Sequence, residues 1–380
     1  MSFDPDRDTI FLTLAGSQAH GTAREGSDLD LRGVGIAPLG TRLSLFEDFE
    51  QYEGTLTREL SRVVLERLAA RPAAREAARV RTECLIFDVA KLLRLCAAAN
   101  PNALEILFAD EEDWLVDSPE WRRIHAERHL FLTRKVEQTF SGYALAQLKR
   151  IETHRAWLLH PPAAKPNRAD FGLPQSEGTL SRDDDNRIEQ ALAEKLRAYG
   201  VDDIEMPKAT RIEIQGRLRE LVADVVRAPD SEIEERLRAI ASHALSLPRD
   251  VVTALNAEKR YRAAKKHWDA YQSWAAQRNR ARADLEARHG YDTKHAMHLV
   301  RLMRMGLEVL RDGELRVRRP DADELNAIRD GALSFDELGR MAAELSAEMR
   351  RAAQASRLPA EADHAAVDRL ALSSMTAARK

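Results

Sequence analysis

The sequence predicts an α+β protein, with a small N-terminal mixed sheet and its helices followed by a large helical body. Two observations predict this. Within the first ~118 residues, short apolar runs with strand character alternate with a helical pattern. Beyond Ser118-Pro119, long stretches rich in Ala, Leu, Arg and Glu repeat apolar residues at three- and four-residue intervals, and no strand pattern follows. A chain of 380 residues has room for two or three domains. The pattern change divides it into an N-terminal domain over 1–118 and a helical domain over 119–380.

In order along the chain, residues 9–15 (TIFLTLA) read as a buried strand ended by Gly16-Ser17. Residues 28–36 (DLDLRGVGI) alternate in polarity and read as a second strand. A third fits Glu83 to Phe87, after which Asp88 has the character of an N-cap opening a helix that stops at Asn100-Pro101. The prolines from His160-Pro161-Pro162 to Gly172-Leu173-Pro174 mark a loop or excursion. Residues 183–203 suit a surface helix, and 258–288 and 293–312 are long helical candidates, the last opened by Asp292 or Thr293.

Composition excludes several classes. No apolar run reaches the ~18 residues of a membrane span, and MSFDPDRD is no secretory leader, so a cytoplasmic location without membrane attachment is expected. Two cysteines, Cys84 and Cys96, cannot frame a fold of this length, and their apolar neighbours suit core thiols. The net charge of −3 is uneven: residues 258–319 carry 16 Lys/Arg against 8 Asp/Glu, which leaves −11 on the remainder. A basic segment in an acidic chain suggests a place for phosphates, although basic helical faces are often merely solvated.

The candidate chemistry lies in the first 118 residues. On a strand, Asp28, Asp30 and Arg32 share one face while Leu29 and Leu31 point to the other. Two carboxylates on one sheet edge repel unless a cation neutralises them, and hard oxygen donors suit Mg²⁺ (or Mn²⁺), which keeps waters and binds substrate phosphates. Gly16 lets the backbone approach a phosphate closely, and Ser17 offers a hydroxyl at a helix start. Strand, Gly-Ser turn, short helix and Asp-x-Asp strand together form a metal–triphosphate cradle, with Gly21 and Thr22 in the turn. A two-metal displacement calls for a third carboxylate. Glu83, opening the third strand, is the candidate; Asp88 competes but suits capping, and Glu47, Asp48 and Glu50 sit in an irregular stretch.

The segment GSQAHGTAREGSDLDLRGV resembles the nucleotidyltransferase signature of the DNA polymerase β superfamily. In its fuller form it is similar to the YcgL-type family, the RNA-ligase-associated polymerase β-like nucleotidyltransferases (RlaP). NPNALEILF at 100–108, SGYALAQLKR at 141–150, FGLP at 171–174, RNRARADLE at 278–286 and GYDTKHAMHLVRLMRMGLEVLRDGEL at 290–315 look similar to the same family. The resemblance implies a polymerase β-like fold in the N-terminal domain and a catalytic, metal-binding triad of Asp28, Asp30 and an acid on the following strand, where Glu83 stands.

Helical spacing places Lys294, His298, Arg301 and Met305 on one stripe, where the first three could grip a triphosphate; a basic solvated face is the plainer alternative. Tyr261, Trp268, Tyr271 and Trp274, interleaved with Lys265, Lys266, Arg278 and Arg280, could stack bases, but aromatics at helical spacing more often pack a core. Arg278, Asn279 and Arg282 are further polar contacts. The expected activity is transfer of a nucleoside monophosphate from an NTP to a hydroxyl acceptor. The family name points to an RNA end as acceptor. Nucleotidylation of a protein or small molecule, or nucleotide or RNA binding without catalysis, are the alternatives.

Overall fold

The computed structural model describes residues 3–173, 186–187, 190–191, 194, 249–278 and 280–377. Five strands, β1 (Thr9–Ala15), β2 (Leu29–Gly35), β3 (Gln51–Gly54), β4 (Thr82–Asp88) and β5 (Trp114–Asp117), form one mixed sheet in the order β3-β4-β2-β1-β5. β1 pairs antiparallel with both β2 and β5, β3 pairs antiparallel with β4, and β2 and β4 run parallel. A parallel pair needs a crossover. Among the helices it carries here are 58–67 and 72–80, whose Leu60, Val64, Ala74 and Ala77 cover the face bearing Leu12, Leu14, Leu29, Leu31, Cys84 and Ile86.

The opposite face, with Phe11 and Val34, packs into a larger core shared with the helical body. Helix α1 (Gly16–His20) follows β1, α2 (Val89–Ala97) follows β4, and α3 (Pro101–Leu107) comes next. The Asp88 side chain accepts from Ala90 N at 2.8 Å, so it caps α2 as its position suggests. Asn100 caps α3, with Pro101 at its first position, where a missing N–H costs nothing. The body is built on α4 (Val136–Leu159), α5 (Thr293–Asp312) and α6 (Phe335–Ala355), with α5 packed along both of the others. α5 opens on Asp292, whose Oδ1 accepts from His295 N at 3.1 Å, and closes on Gly313 at φ 67°. Cys84 and Cys96 are buried free thiols. Among the described residues, no helix is long and apolar enough to cross a membrane.

The chain divides into two compact units, Met1–Leu159 with Arg280–Lys380, and His160–Asn279. Position 118 falls inside the first, because side chains from 131–151 and 291–370 belong to the same core as the sheet. In the second unit, helix α7 (Arg249–Gln277) carries Glu258, which pairs with buried Arg168 at 2.8 Å and with Arg262 at 3.0 Å. Trp268, Tyr271 and Trp274 follow one another with ring centroids 5.9 Å apart, and the Arg278 guanidinium lies 4.4 Å from the Trp274 ring. The single helix expected over 258–288 is interrupted, since α7 ends at Gln277 and the next helix spans Arg280–His289. Most of the helix expected over 183–203, together with Asn279 and the Arg282 side chain, lies outside the described residues.

Candidate active site

The parallel register of β2 and β4 sets Asp30 opposite Glu83. Partners in a parallel pair project to the same face, so the two carboxylates are neighbours on adjacent strands. Leu29 and Leu31 are fully buried on the other face, as alternation requires. Asp28 stands exposed one residue before β2. Burial, reinforced by the Glu83 and Asp28 carboxylates, holds the Asp30 carboxyl above its usual range, against the pull of Arg32 and Lys294. All three acids therefore share one electrostatic neighbourhood, and Lys294 of α5 reaches it.

Two of the three acids already lean on a guanidinium. Glu83 pairs with Arg81 at 2.8 Å, and Asp30 lies 3.8 Å from Arg32. Gly16 sits at φ 57°, and a Cβ there would collide with the Asp30 carboxylate. The glycine is thus required twice, by its backbone angle and by the acid beside it. α1 spans five residues, little more than one turn, so its macrodipole is small. What the turn offers is close backbone approach.

Beside this edge opens a cavity of about 540 Å³. Gly16, His20 and Arg32 line it from the sheet side; Lys294, His295, His298 and Arg301 from α5; Tyr143, Gln147 and Arg150 from α4. Lys294, His298 and Arg301 of the stripe expected on α5 thus face one space with Gly16 and Arg32, whereas Met305 is buried away from it. Ser17, Gly21 and Thr22 are not on that wall: Ser17 O accepts from Thr22 N at 2.9 Å, Gly21 caps α1 at φ 73°, and Thr22 is fully buried. The Thr22 hydroxyl has no hydrogen-bond partner among the described residues.

Arg301 is 5% exposed, and its Nη1 bonds Glu105 and lies 3.0 Å from His20 Nε2. His20 Nε2 is in turn 3.1 Å from Glu105 Oε2. Although burial opposes it, Arg301 and His20 hold the Glu105 carboxylate well below its usual range. Burial, aided by Arg301, lowers His20, and the same two causes push His298 well below its ordinary value. His298 is therefore neutral near pH 7 and offers hydrogen bonds, not charge. His20, Glu105 and Arg150 escaped the sequence reading, since neither a lone His in a turn nor a Glu on a short apolar helix signals partners this distant.

The donor set fits a hard divalent ion. Burial, with Glu83 and Asp28 adding to it, raises the Asp30 carboxyl; a cation would relieve that, and carboxylate oxygens are the donors Mg²⁺ prefers. Taking up an ion would require Glu83 to turn from Arg81. Among the described residues, the group of three ligand-type side chains whose donor atoms already lie within 4.8 Å of one another is instead His154, Asp292 and His295.

Residues 4–158 match the model of a family described as RlaP, RNA repair pathway DNA polymerase beta family, as the N-terminal motifs led one to expect. No curated protein and no solved structure matches the chain. The matched stretch holds the whole sheet, all three acids and all but the last residue of α4.

Proposed function

Starting from residues 4–158 as a polymerase β-like segment, we propose that the protein transfers a nucleoside monophosphate from an NTP to a hydroxyl on an RNA end, releasing pyrophosphate. The observation that carries the reading is the register Asp30↔Glu83 beside Gly16, with a basic-walled cavity next to it. Acids on one side and cations on the other are what a metal-bound triphosphate needs on its two flanks.

Asp28, Asp30 and Glu83 would hold Mg²⁺ or Mn²⁺, which when bound neutralises phosphate charge and favours ionisation of the acceptor hydroxyl. Gly16 admits the phosphates to the backbone. Lys294 supplies charge to the phosphate tail, neutral His298 donates a hydrogen bond, and Arg32 and Arg150 flank the same space. Arg301, fixed by Glu105 and His20, acts mainly by holding α1 and α5 in their relative places. Positioning and charge neutralisation are the main sources of rate in phosphoryl transfer. The description of the matched family favours RNA over a protein or small molecule as acceptor.

The test supplies each α-labelled NTP with Mg²⁺ and total RNA, and follows label in RNA and released pyrophosphate for wild type and Asp28→Ala/Asp30→Ala. Labelled RNA from wild type alone is the expected result. Pyrophosphate release without labelled RNA would move the acceptor to a protein or small molecule. Nucleotide binding with no turnover in any combination would overturn the enzymatic reading.

A further inference from the structure

We propose that His154, Asp292 and His295 form a second metal site, separate from the carboxylate edge, that takes one divalent transition ion with the ligand preferences of zinc. Asp292 is fully buried, and both imidazoles are nearly so. Asp292 Oδ2 lies 2.6 Å from His295 Nδ1 and 3.5 Å from His154 Nδ1, and the three donor atoms all fall within 4.8 Å of one another. A tetrahedral ion with bonds of about 2.0–2.1 Å keeps its ligands about 3.3 Å apart. Changes in these separations of at most about 1.5 Å would meet that spacing. Two imidazole nitrogens and one carboxylate oxygen are borderline donors that suit zinc better than Mg²⁺.

The scaffold is stiff where the site needs it to be. His154 comes from α4, and Asp292 and His295 from the first turn of α5, two helices packed along each other. The other Asp292 oxygen accepts from His295 N at 3.1 Å, which fixes the carboxylate's orientation. On either side of Asp292, Tyr291 Oη donates to Leu333 O at 2.6 Å and Thr293 Oγ1 to Arg329 O at 2.7 Å. His295 also lines the 540 Å³ cavity, so a fourth coordination position would open towards it. Arg150 Nη1 is 3.3 Å from His295 Nε2. With metal on Nδ1, Nε2 carries the proton, and this exposed arginine must swing away, which its long stem allows.

The site is tested on tag-free full-length chain, stripped with chelator and titrated with Zn²⁺ by calorimetry, in parallel with Co²⁺ substitution. One zinc per chain is expected, with a thermal transition that rises on zinc addition. Affinity should fall about 100-fold or more in His154→Ala and His295→Ala, and persist in Asp28→Ala/Asp30→Ala. Should a histidine variant fail to fold, the Co²⁺ form of the wild type still counts ligands, since two imidazole N–H protons must show paramagnetic shifts in its NMR spectrum. No stoichiometric zinc, zinc that survives both histidine changes, or zinc lost only in the aspartate variant would overturn the proposal. None of these readouts depends on nucleotidyl transfer.

Discussion

The carboxylate edge, whose three acids do not line the cavity, and the basic wall of the cavity beside it are built in opposite ways. The acidic edge is open: Asp28 is exposed, the Glu83 side chain is 44% exposed and turned to Arg81, and burial holds the Asp30 carboxyl above its usual range. The basic flank is closed: Arg301, His20 and Glu105 bond one another across three elements, and Asp292 is sealed beneath the first turn of α5. An exposed acid can turn to meet an ion, whereas a buried charge network is fixed before any ligand arrives. The fold thus preorganises the wall and leaves the proposed ion site to be completed by its occupant.

Four changes break or sharpen that contrast. Asp28→Ala/Asp30→Ala should cost about 10³-fold or more in transfer rate while leaving the thermal transition of the metal-free protein near wild type, since little packing rests on these acids. On the closed flank the effect should fall on stability: Glu105→Ala leaves Arg301 buried and unpaired, and chemical denaturation should show a loss of about 3–5 kcal/mol. pH separates the flanks further. His20 and His298 have folded pKa values below the ordinary 6.5, so the unfolded chain binds more protons beneath that value. Stability is then fully present above about pH 6.5 and is lost as pH falls towards the folded values, by up to about 1.4 kcal/mol per pH unit for each histidine. His298→Gln should flatten that slope between pH 6.5 and 5. The smallest effect belongs to Lys294→Ala: a rise in KM for NTP of about 5-fold, near 1 kcal/mol, shrinking with added salt.

Much of this was legible in the sequence where signals are local. β1, β2 and β4 were visible because their residues alternate or run apolar, Asp88 and Asp292 because caps sit at fixed places, and Gly16 and Asp30 because a spaced motif joins them. β3 and β5 were missed because four residues cannot establish a period, and QYEG is largely exposed. His20 and Glu105 are 85 residues apart and Arg301 lies 196 further on, so no window of sequence holds the network. Asp113 is similar: it is fully buried and held by Arg71 and Arg318 from opposite ends of the first unit. Such partners are chosen by the fold, after the sheet has brought the elements together.

The cavity's lining has a consequence for how the chain is made. Its walls come from residues 13–32, 85–106, 143–150 and 294–317. During synthesis at about 5–20 residues per second, Asp28, Asp30 and Glu83 leave the ribosome well before residues 294–317 complete the basic wall. A nascent or truncated chain stopping at 159 would carry the acids facing no α5, able to attract an ion and unable to enclose a nucleotide. The proposed site is therefore complete only once residues 294–317 have been made and packed.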